Sequence, residues 1–364
     1  MNYEVFILMH IILSVIFLVA TWKHTSSSDL GSPGFLYCCF AVWGFDRLIR
    51  LIRLATFGVQ KATVELRADE TLRVTINRPS YWIPHPGAHA FIHFLKPTYF
   101  WQSHPFTLVD SILEPNTITF YMKVKGGITH GLYKHLNECQ GKQDKFNVLV
   151  EGPYSQRLPL RKFDKIVFLA GGTGIPGLYY ESFDLSRAAK SENKTIKLYW
   201  VIRHFKSIDW FYEELLKLKE TGIKVIIYIT NPQEDMESAS ASMTGREFKE
   251  MNNSSSDNEK NPFQDVNLEE HKETSNNFKP PSIQSNNYMF FTTIINNLNF
   301  VEFRYGRPDI SEIVQRETVE SSKSIAFATC AHPSIVDHAR VAVAEELKRD
   351  FTKRIELFEE IQGW

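Results

Sequence analysis

Cysteine is scarce in this 364-residue chain. Cys38, Cys39, Cys139 and Cys330 stand at irregular spacings that make neither a disulfide framework nor a zinc ribbon. So few thiols fit a main domain kept in a reducing compartment. An excess of charge of one sign is also lacking. With 41 basic and 42 acidic residues the net charge is -1, which gives no bulk reason to expect nucleic acid as a partner. Aromatic residues, by contrast, are abundant at 13%, as expected of a chain that partly lives in lipid and stacks on planar cofactors.

Long apolar runs are few, and their positions are informative. Val5 to Trp22 is uncharged throughout, about the minimum for a helix to span roughly 30 Å of hydrocarbon. A cleaved signal peptide fits less well, because Glu4 is acidic and neither a basic leader nor an A-x-A site is present. After a polar loop (Thr25 to Pro33), a second apolar stretch from Gly34 to Phe45 runs into the basic segment Asp46 to Arg53. This second stretch is too short alone, so Asp46 and the arginines are expected at the interface. Basic residues follow it and are absent from the loop, which places everything after residue 46 on the cytoplasmic side. The spacing therefore predicts two membrane helices within residues 1–57.

From residue 62 the pattern becomes strand-like alternation broken by turn signals at Pro84, Pro86-Gly87 and Gly126-Gly127. Short antiparallel strands over residues 62–160 predict a small β-barrel. After Gly152-Pro153 apolar strands alternate with helical stretches, which predicts a parallel sheet covered on both faces over residues 161–364. Within it, residues 233–287 are rich in Asn, Ser, Glu and Lys, and read as a disordered insertion.

Gly172-Thr173-Gly174-Ile175-Pro176-Gly177 matches G-x-G-x-x-G directly after a strand and before a helix. Glycine lets the backbone approach a pyrophosphate, and the helix N-terminus offers N–H donors. The next parallel strand ends at Arg203, where an NAD enzyme would hold an acidic residue; an arginine suits a 2′-phosphate, although a solvated arginine reads equally well. Cys330 closes a later strand, at the end where ligands bind in such sheets, yet a lone cysteine is more often a small buried residue. His104-Pro105-Phe106-Thr107 and Lys125-Gly126-Gly127-Ile128-Thr129 read on physical grounds as turns, the latter opening a helix.

Taken in order, His104 to Thr107, Glu151-Gly152-Pro153-Tyr154, Ala170 to Gly177, Tyr305-Gly306-Arg307-Pro308 and Cys330-Ala331-His332-Pro333 resemble the dehydrogenase region of the fungal ferric reductase and NADPH oxidase superfamily. That superfamily belongs with the ferredoxin reductases, and the resemblance spans all but residues 233–287. It implies membrane α-helices followed by a ferredoxin-reductase-like module: an antiparallel FAD-binding β-barrel and an α/β nucleotide-binding domain for NADPH.

The resemblance also assigns roles. His104 would face the flavin phosphates, Pro105 would lie along the flavin with Phe106 packed on its ring system, and Thr107 would reach toward N5. Gly126, Gly127 and Thr129 would hold the FAD pyrophosphate. Gly171, Gly172, Thr173 and Gly174 would hold that of NADPH, with Arg203 and Arg307 at the adenosine end. Cys330 would lie against the nicotinamide, and Trp364 would cover the flavin face. Ser155 departs from the glycine usual after Gly-Pro-Tyr.

His10 and His24 are fourteen residues apart, within about 40° on a helix and roughly 21 Å along it. They match one of the helices that hold two haem b groups in the family. The other ten histidines, from position 85 onward, lie outside the apolar spans, so the resemblance supplies half of the haem ligands. The expected activity is reduction of ferric chelates, with cupric chelates as a second substrate, at the plasma membrane by a multi-pass protein with cytoplasmic dehydrogenase domains. A subunit or fragment carrying the missing helices is an expected partner, besides membrane lipid. A haem-less NADPH diaphorase, a superoxide-producing oxidase and a non-catalytic subunit of an intact reductase are the rival readings.

Overall fold

The computed structural model describes residues 3–27, 34–97, 102–110, 116–154, 157–189, 194–231 and 293–360. The expectations for the loop up to Pro33, Ser155, the 233–287 insertion and Trp364 fall wholly or mostly outside those residues.

Two long helices come first, α1 (Tyr3–Ser27) and α2 (Gly34–Phe57). Among the described residues only one helical segment, Val5–Ser26 of α1, is long and apolar enough to cross a membrane. The expected pair is thus one such helix plus a second that falls short. In α2 the apolar half and the basic half form one uninterrupted helix, and Asp46, Arg47, Arg50 and Arg53 make it too polar to count.

The far end of α2 is fastened to the next unit. Phe57 is buried and packs edge-on against Trp82 at 5.2 Å between ring centroids. Arg50 Nη1 donates to Glu151 Oε1 at 2.8 Å, the Arg53 guanidinium lies 4.6 Å from the Tyr154 ring centroid, and the Tyr81 hydroxyl donates to the Thr56 carbonyl. Glu151-Gly152-Pro153-Tyr154, a motif in the sequence, is therefore the surface on which α2 ends.

Six antiparallel strands close a barrel in the order β1-β2-β5-β4-β3-β6: β1 (Gln60–Arg67), β2 (Thr71–Asn77), β3 (His89–Phe94), β4 (His104–Asp110), β5 (Thr117–Lys123) and β6 (Gln143–Tyr154). Helix α3 (Gly127–Glu138) leads into β6. The alternation of inward Ala62, Val64, Leu72, Val74 and Ile76, all buried, is what the period-2 pattern predicts.

One expectation is corrected here. His104 to Thr107 is not a turn but the start of β4, despite Pro105. The β4–β5 ladder begins only at Leu108, so Pro105 pairs with β3 alone, opposite Phe91. That arrangement tolerates a residue with no N–H.

The second unit is a six-stranded parallel sheet, ordered β10-β9-β8-β7-β11-β12. Its strands are β7 (Lys165–Gly171), β8 (Thr195–Ile202), β9 (Lys224–Ile229), β10 (Val301–Tyr305), β11 (Ser324–Cys330) and β12 (Arg354–Glu359). Its helices are α4 (Ile175–Ala189), α5 (Tyr212–Lys217), α6 (Ile310–Val319) and α7 (Pro333–Arg349). Two readings change. The stretch from Asp209 to Glu220 is a short α-helix between 3-10 turns, and after α7 the chain adds β12, an edge strand beside β11. Chain order reverses at β7, whose neighbours are β8 and β11. In such sheets ligands bind beyond the carboxyl ends of the strands at that reversal.

The opposite, amino-terminal edge is held by an ion cluster. Glu317 of α6 is fully buried between Lys165 and Lys197, each 2.8 Å away, and accepts a hydrogen bond from the Tyr199 hydroxyl at 2.6 Å. Burial alone would raise its pKa, but these three donors hold the carboxyl below the usual range. Such a group stabilises the fold above its ordinary pKa, and that contribution is lost as pH falls through its depressed folded value. Glu317→Gln, which leaves two lysines near an uncharged amide, is expected to cost about 3–5 kcal/mol at neutral pH in denaturant unfolding. The difference from the parent chain should shrink under acid.

Candidate functional site

The loop between β7 and α4 packs so closely on the end of β11 that side chains have no room. A methyl group at Gly174 would stand 2.8 Å from the Cys330 carbonyl carbon and 3.1 Å from its Sγ; one at Gly171 would stand 2.8 Å from Ala331 Cβ. Gly172 has φ +51° with open space around it, so its reason is conformational rather than steric. Its carbonyl accepts from Trp200 Nε1 of β8 at 2.9 Å, which ties the loop to the neighbouring strand. Thr173 is half-buried between the two glycines.

The barrel reaches the same helix. A methyl at Gly177 would lie 3.2 Å from Thr107 Cγ2 and 2.8 Å from Glu360 Oε2. Thr107 and Cys330, singled out separately in the sequence, therefore meet the chain within one turn of each other, at Gly177 in the first turn of α4 and at Gly174 just before it. Burial pushes the Cys330 thiol up to about 12, with the Glu360 carboxylate adding to it. The sulfur is a neutral thiol that fills space.

Glu360 was not found by sequence reasoning. Its backbone N–H donates to the Thr329 carbonyl at 2.8 Å, which sets it beside Cys330 at the exit of β12. Glu181, one turn beyond Gly177 on α4, is 5 % exposed, and its Oε1 has no hydrogen-bond partner among the described residues. The two carboxylates meet over Gly87, where a methyl would be 3.1 Å from Glu360 Oε1 and 3.2 Å from Glu181 Oε1. Burial raises both carboxyls to about 7, and at Glu181 the Glu360 charge raises it further.

A second cradle lies on the barrel. Thr129 is buried at the start of α3; its hydroxyl donates to the Gly126 carbonyl at 2.9 Å and accepts from the Lys125 N–H at 3.2 Å. Gly126, the N-cap, makes no side-chain cap, and Gly127 has φ +54°. Gln102, 7 % exposed, places its Oε1 3.4 Å from where a Gly127 methyl would be, and that oxygen has no partner among the described residues. Amide oxygen and nitrogen exchange freely in such an assignment, so Gln102 offers a buried hydrogen-bonding group to whatever occupies the cradle. His104 and Phe106 lie alongside on β4, half-buried, with ring centroids 6.4 Å apart, and Pro105 is buried between them.

The other expected residues are placed further out. Arg203 follows β8 and Arg307 follows β10; both are exposed at the carboxyl edge, with β9 between them. They flank one stretch of edge, about two strand spacings or roughly 10 Å apart. His10 and His24 are exposed on the single helix α1, with His10 stacked on Phe6 at 6.0 Å.

Residues 56–158 match the model of an FAD-binding domain, and residues 163–344 that of the ferric reductase NAD binding domain. The chain belongs to the ferric reductase family. It is 42% identical, over all 364 residues, to ferric/cupric reductase transmembrane component 1 of Candida albicans, covering 44% of that protein. It is 32% identical to ferric reductase transmembrane component 4 of Saccharomyces cerevisiae, covering the whole chain and 48% of that protein. The chain thus spans about half the length of the curated relatives it matches. A ferredoxin NADP+ reductase from Neisseria gonorrhoeae aligns over 83% of this chain and 98% of its own at 13% identity and TM-score 0.49.

Two substitutions separate steric from conformational need in the family's glycine loop. Gly174→Ala is expected to cost about 1–3 kcal/mol, because the Cys330 backbone must move, and Gly172→Ala about 1 kcal/mol for its positive φ alone. Denaturant midpoints compare them. The carboxyl pair predicts a pH effect of opposite sign to that of Glu317. A carboxyl whose pKa rises from an ordinary 4.5 to about 7 on folding costs stability as pH climbs through that window, in full above it. Glu181→Gln should therefore raise stability by about 1–3 kcal/mol at pH 8 and change little at pH 4. Thermal unfolding across the range reads the difference.

Proposed function

We propose that this chain is the electron-input part of a membrane-bound, NADPH-dependent ferric-chelate reductase, with cupric chelates as a second substrate. The observation that carries it is the convergence of Thr107 from the barrel and Cys330 from the sheet on the start of α4, at Gly177 and at Gly174 immediately before the helix. This is the place where a flavin on the barrel and a nicotinamide on the sheet would have to meet. When bound, FAD accepts a hydride from NADPH and gives up its electrons singly.

The residues of the chain fit that chemistry. Gly126, Gly127 and Thr129, with the buried amide of Gln102 beside them, would hold the FAD pyrophosphate at an uncapped helix N-terminus. His104, Pro105 and Phe106 would line the flavin, and Thr107 would orient it by hydrogen bonding. Gly171 to Gly174 would let the NADPH pyrophosphate approach the backbone, and Arg203 and Arg307 would bind the 2′-phosphate from two sides. Cys330, neutral and small, would leave room for the nicotinamide. Glu360 and Glu181, with pKa values near 7, would hold or release a proton close to Thr107 and exclude a permanent charge there.

His10 and His24 would each offer one imidazole to a haem iron. No other histidine lies on α1 or α2, so the second ligands would come from outside these helices. By the arginines in the second half of α2, the barrel and sheet would face the cytoplasm at the plasma membrane.

The reading is tested by anaerobic flavin reduction in the purified chain, followed with NADPH and with NADH. Replacing both Arg203 and Arg307 by Ala should weaken NADPH by about tenfold to a hundredfold per lost contact and leave NADH nearly unchanged. Equal losses for the two cofactors would overturn the assignment. Membranes containing the protein should reduce a ferric chelate only when NADPH also reduces the flavin.

A further inference from the structure

The segment that joins α3 to the barrel brings together three side chains for which the reductase reading has no use. His135 lies in the last turn of α3, Cys139 is that helix's C-cap, and Asp144 is the second residue of β6. Gly141 at φ +76° and Lys142 at φ +53° reverse the chain so tightly that ten residues fold back on themselves. One nitrogen of His135, the Cys139 Sγ and one Asp144 oxygen all lie within 4.8 Å of one another.

The arrangement is aimed. Asp144 turns Oδ2 to His135 Nε2 at 2.7 Å, while its Oδ1 accepts from the Lys145 N–H at 2.7 Å. The His135 ring is braced edge-on against Phe146 at 5.5 Å. Two of the three donors, Asp144 and His135, are thus oriented by a partner outside the trio, as metal ligands commonly are. Lys96, over the Phe146 ring at 4.8 Å, is the neighbouring cation that a bound ion would compete with for Asp144.

We propose that His135, Cys139 and Asp144 bind a single borderline divalent transition cation, zinc(II) being the ion they suit, with water completing the shell. One nitrogen, one sulfur and one carboxylate oxygen are all zinc ligands. The thiol and imidazole disfavour calcium and magnesium, which take oxygen, and the carboxylate disfavours copper(I). The position adds to this, since a helix C-terminus is the negative end of its dipole and favours a cation. A bound ion also pins α3 to β6, at the end of α3 opposite its Gly126-Gly127 loop. The proposal stands apart from the assignment of NADPH and FAD residues, and fails or holds without it.

The test uses the full chain in detergent, reduced and stripped with a chelator. Cys38 and Cys39, exposed neighbours on α2 that could bind metal themselves, are replaced by Ser in every sample. Zinc is titrated against a chromophoric competitor. One equivalent is expected, with Cys139→Ser, Asp144→Asn and His135→Gln each weakening it by more than about tenfold. Cobalt(II) in place of zinc should give a thiolate charge-transfer band in the near ultraviolet that Cys139→Ser abolishes. Zinc should also raise the unfolding temperature of the parent chain and not of the variants. Flavin content monitors whether each variant is folded, and the three variants give independent routes if one is not. Absence of saturable binding would reduce His135 and Asp144 to a plain ion pair and overturn the proposal. So would a zinc affinity that Cys139→Ser leaves unchanged.

Discussion

Two backbones meet with no room for a side chain between them: the glycine loop after β7 and the carbonyl end of β11 at Cys330. Gly171 and Gly174 have no space for even a methyl group. Because they have none, α4 starts hard against the sheet, and its next turn, at Gly177, is bare enough for Thr107 of the barrel to touch it. The alignment of barrel on sheet follows from side chains that are missing. A cofactor site shared by two units needs them held at sub-ångström tolerance, and direct packing on an unadorned helix face achieves that with less freedom than a salt bridge would.

The two edges of the parallel sheet are treated differently. At the amino-terminal edge, Lys165 and Lys197 pair ionically with Glu317, which also accepts from the Tyr199 hydroxyl, and together they lock α6 down. At the carboxyl edge, by contrast, no cation sits on the Glu181 and Glu360 carboxyls among the described residues, and burial holds both near pKa 7. Such perturbation is costly to folding and concentrates where chemistry is done.

Much of this was legible in the sequence. The period-2 alternation located β1, β2, β3 and β5, and the glycine loop declared itself by standing between an apolar strand and a helix. The exceptions have physical causes. β4 opens on a proline, a signal that ordinarily ends a strand, and only the register with β3 and β5 reveals why it is tolerated. β12, Arg354–Glu359, carries too many charges to read as a strand because it is an edge. Glu181 sits in an ordinary helical pattern, and nothing local says that its face is covered. Gln102 is likewise visible only once Gly127 is placed beside it. The barrel's grip on α2 through Glu151 and Tyr154 gives a motif noticed for its resemblance a mechanical explanation.

The edge position of β12 has one more consequence. Glu360 is delivered by the outermost strand of its sheet, hydrogen-bonded on one side only, to β11. Strands so placed fray at free energies well below that of global unfolding. Amides along β12 should then exchange with solvent long before those of β7 or β8. The Glu360 carboxyl thus hangs from the hem of the sheet, whereas Cys330 is sewn between β7 and β12 and Thr107 is held in the closed wall of the barrel.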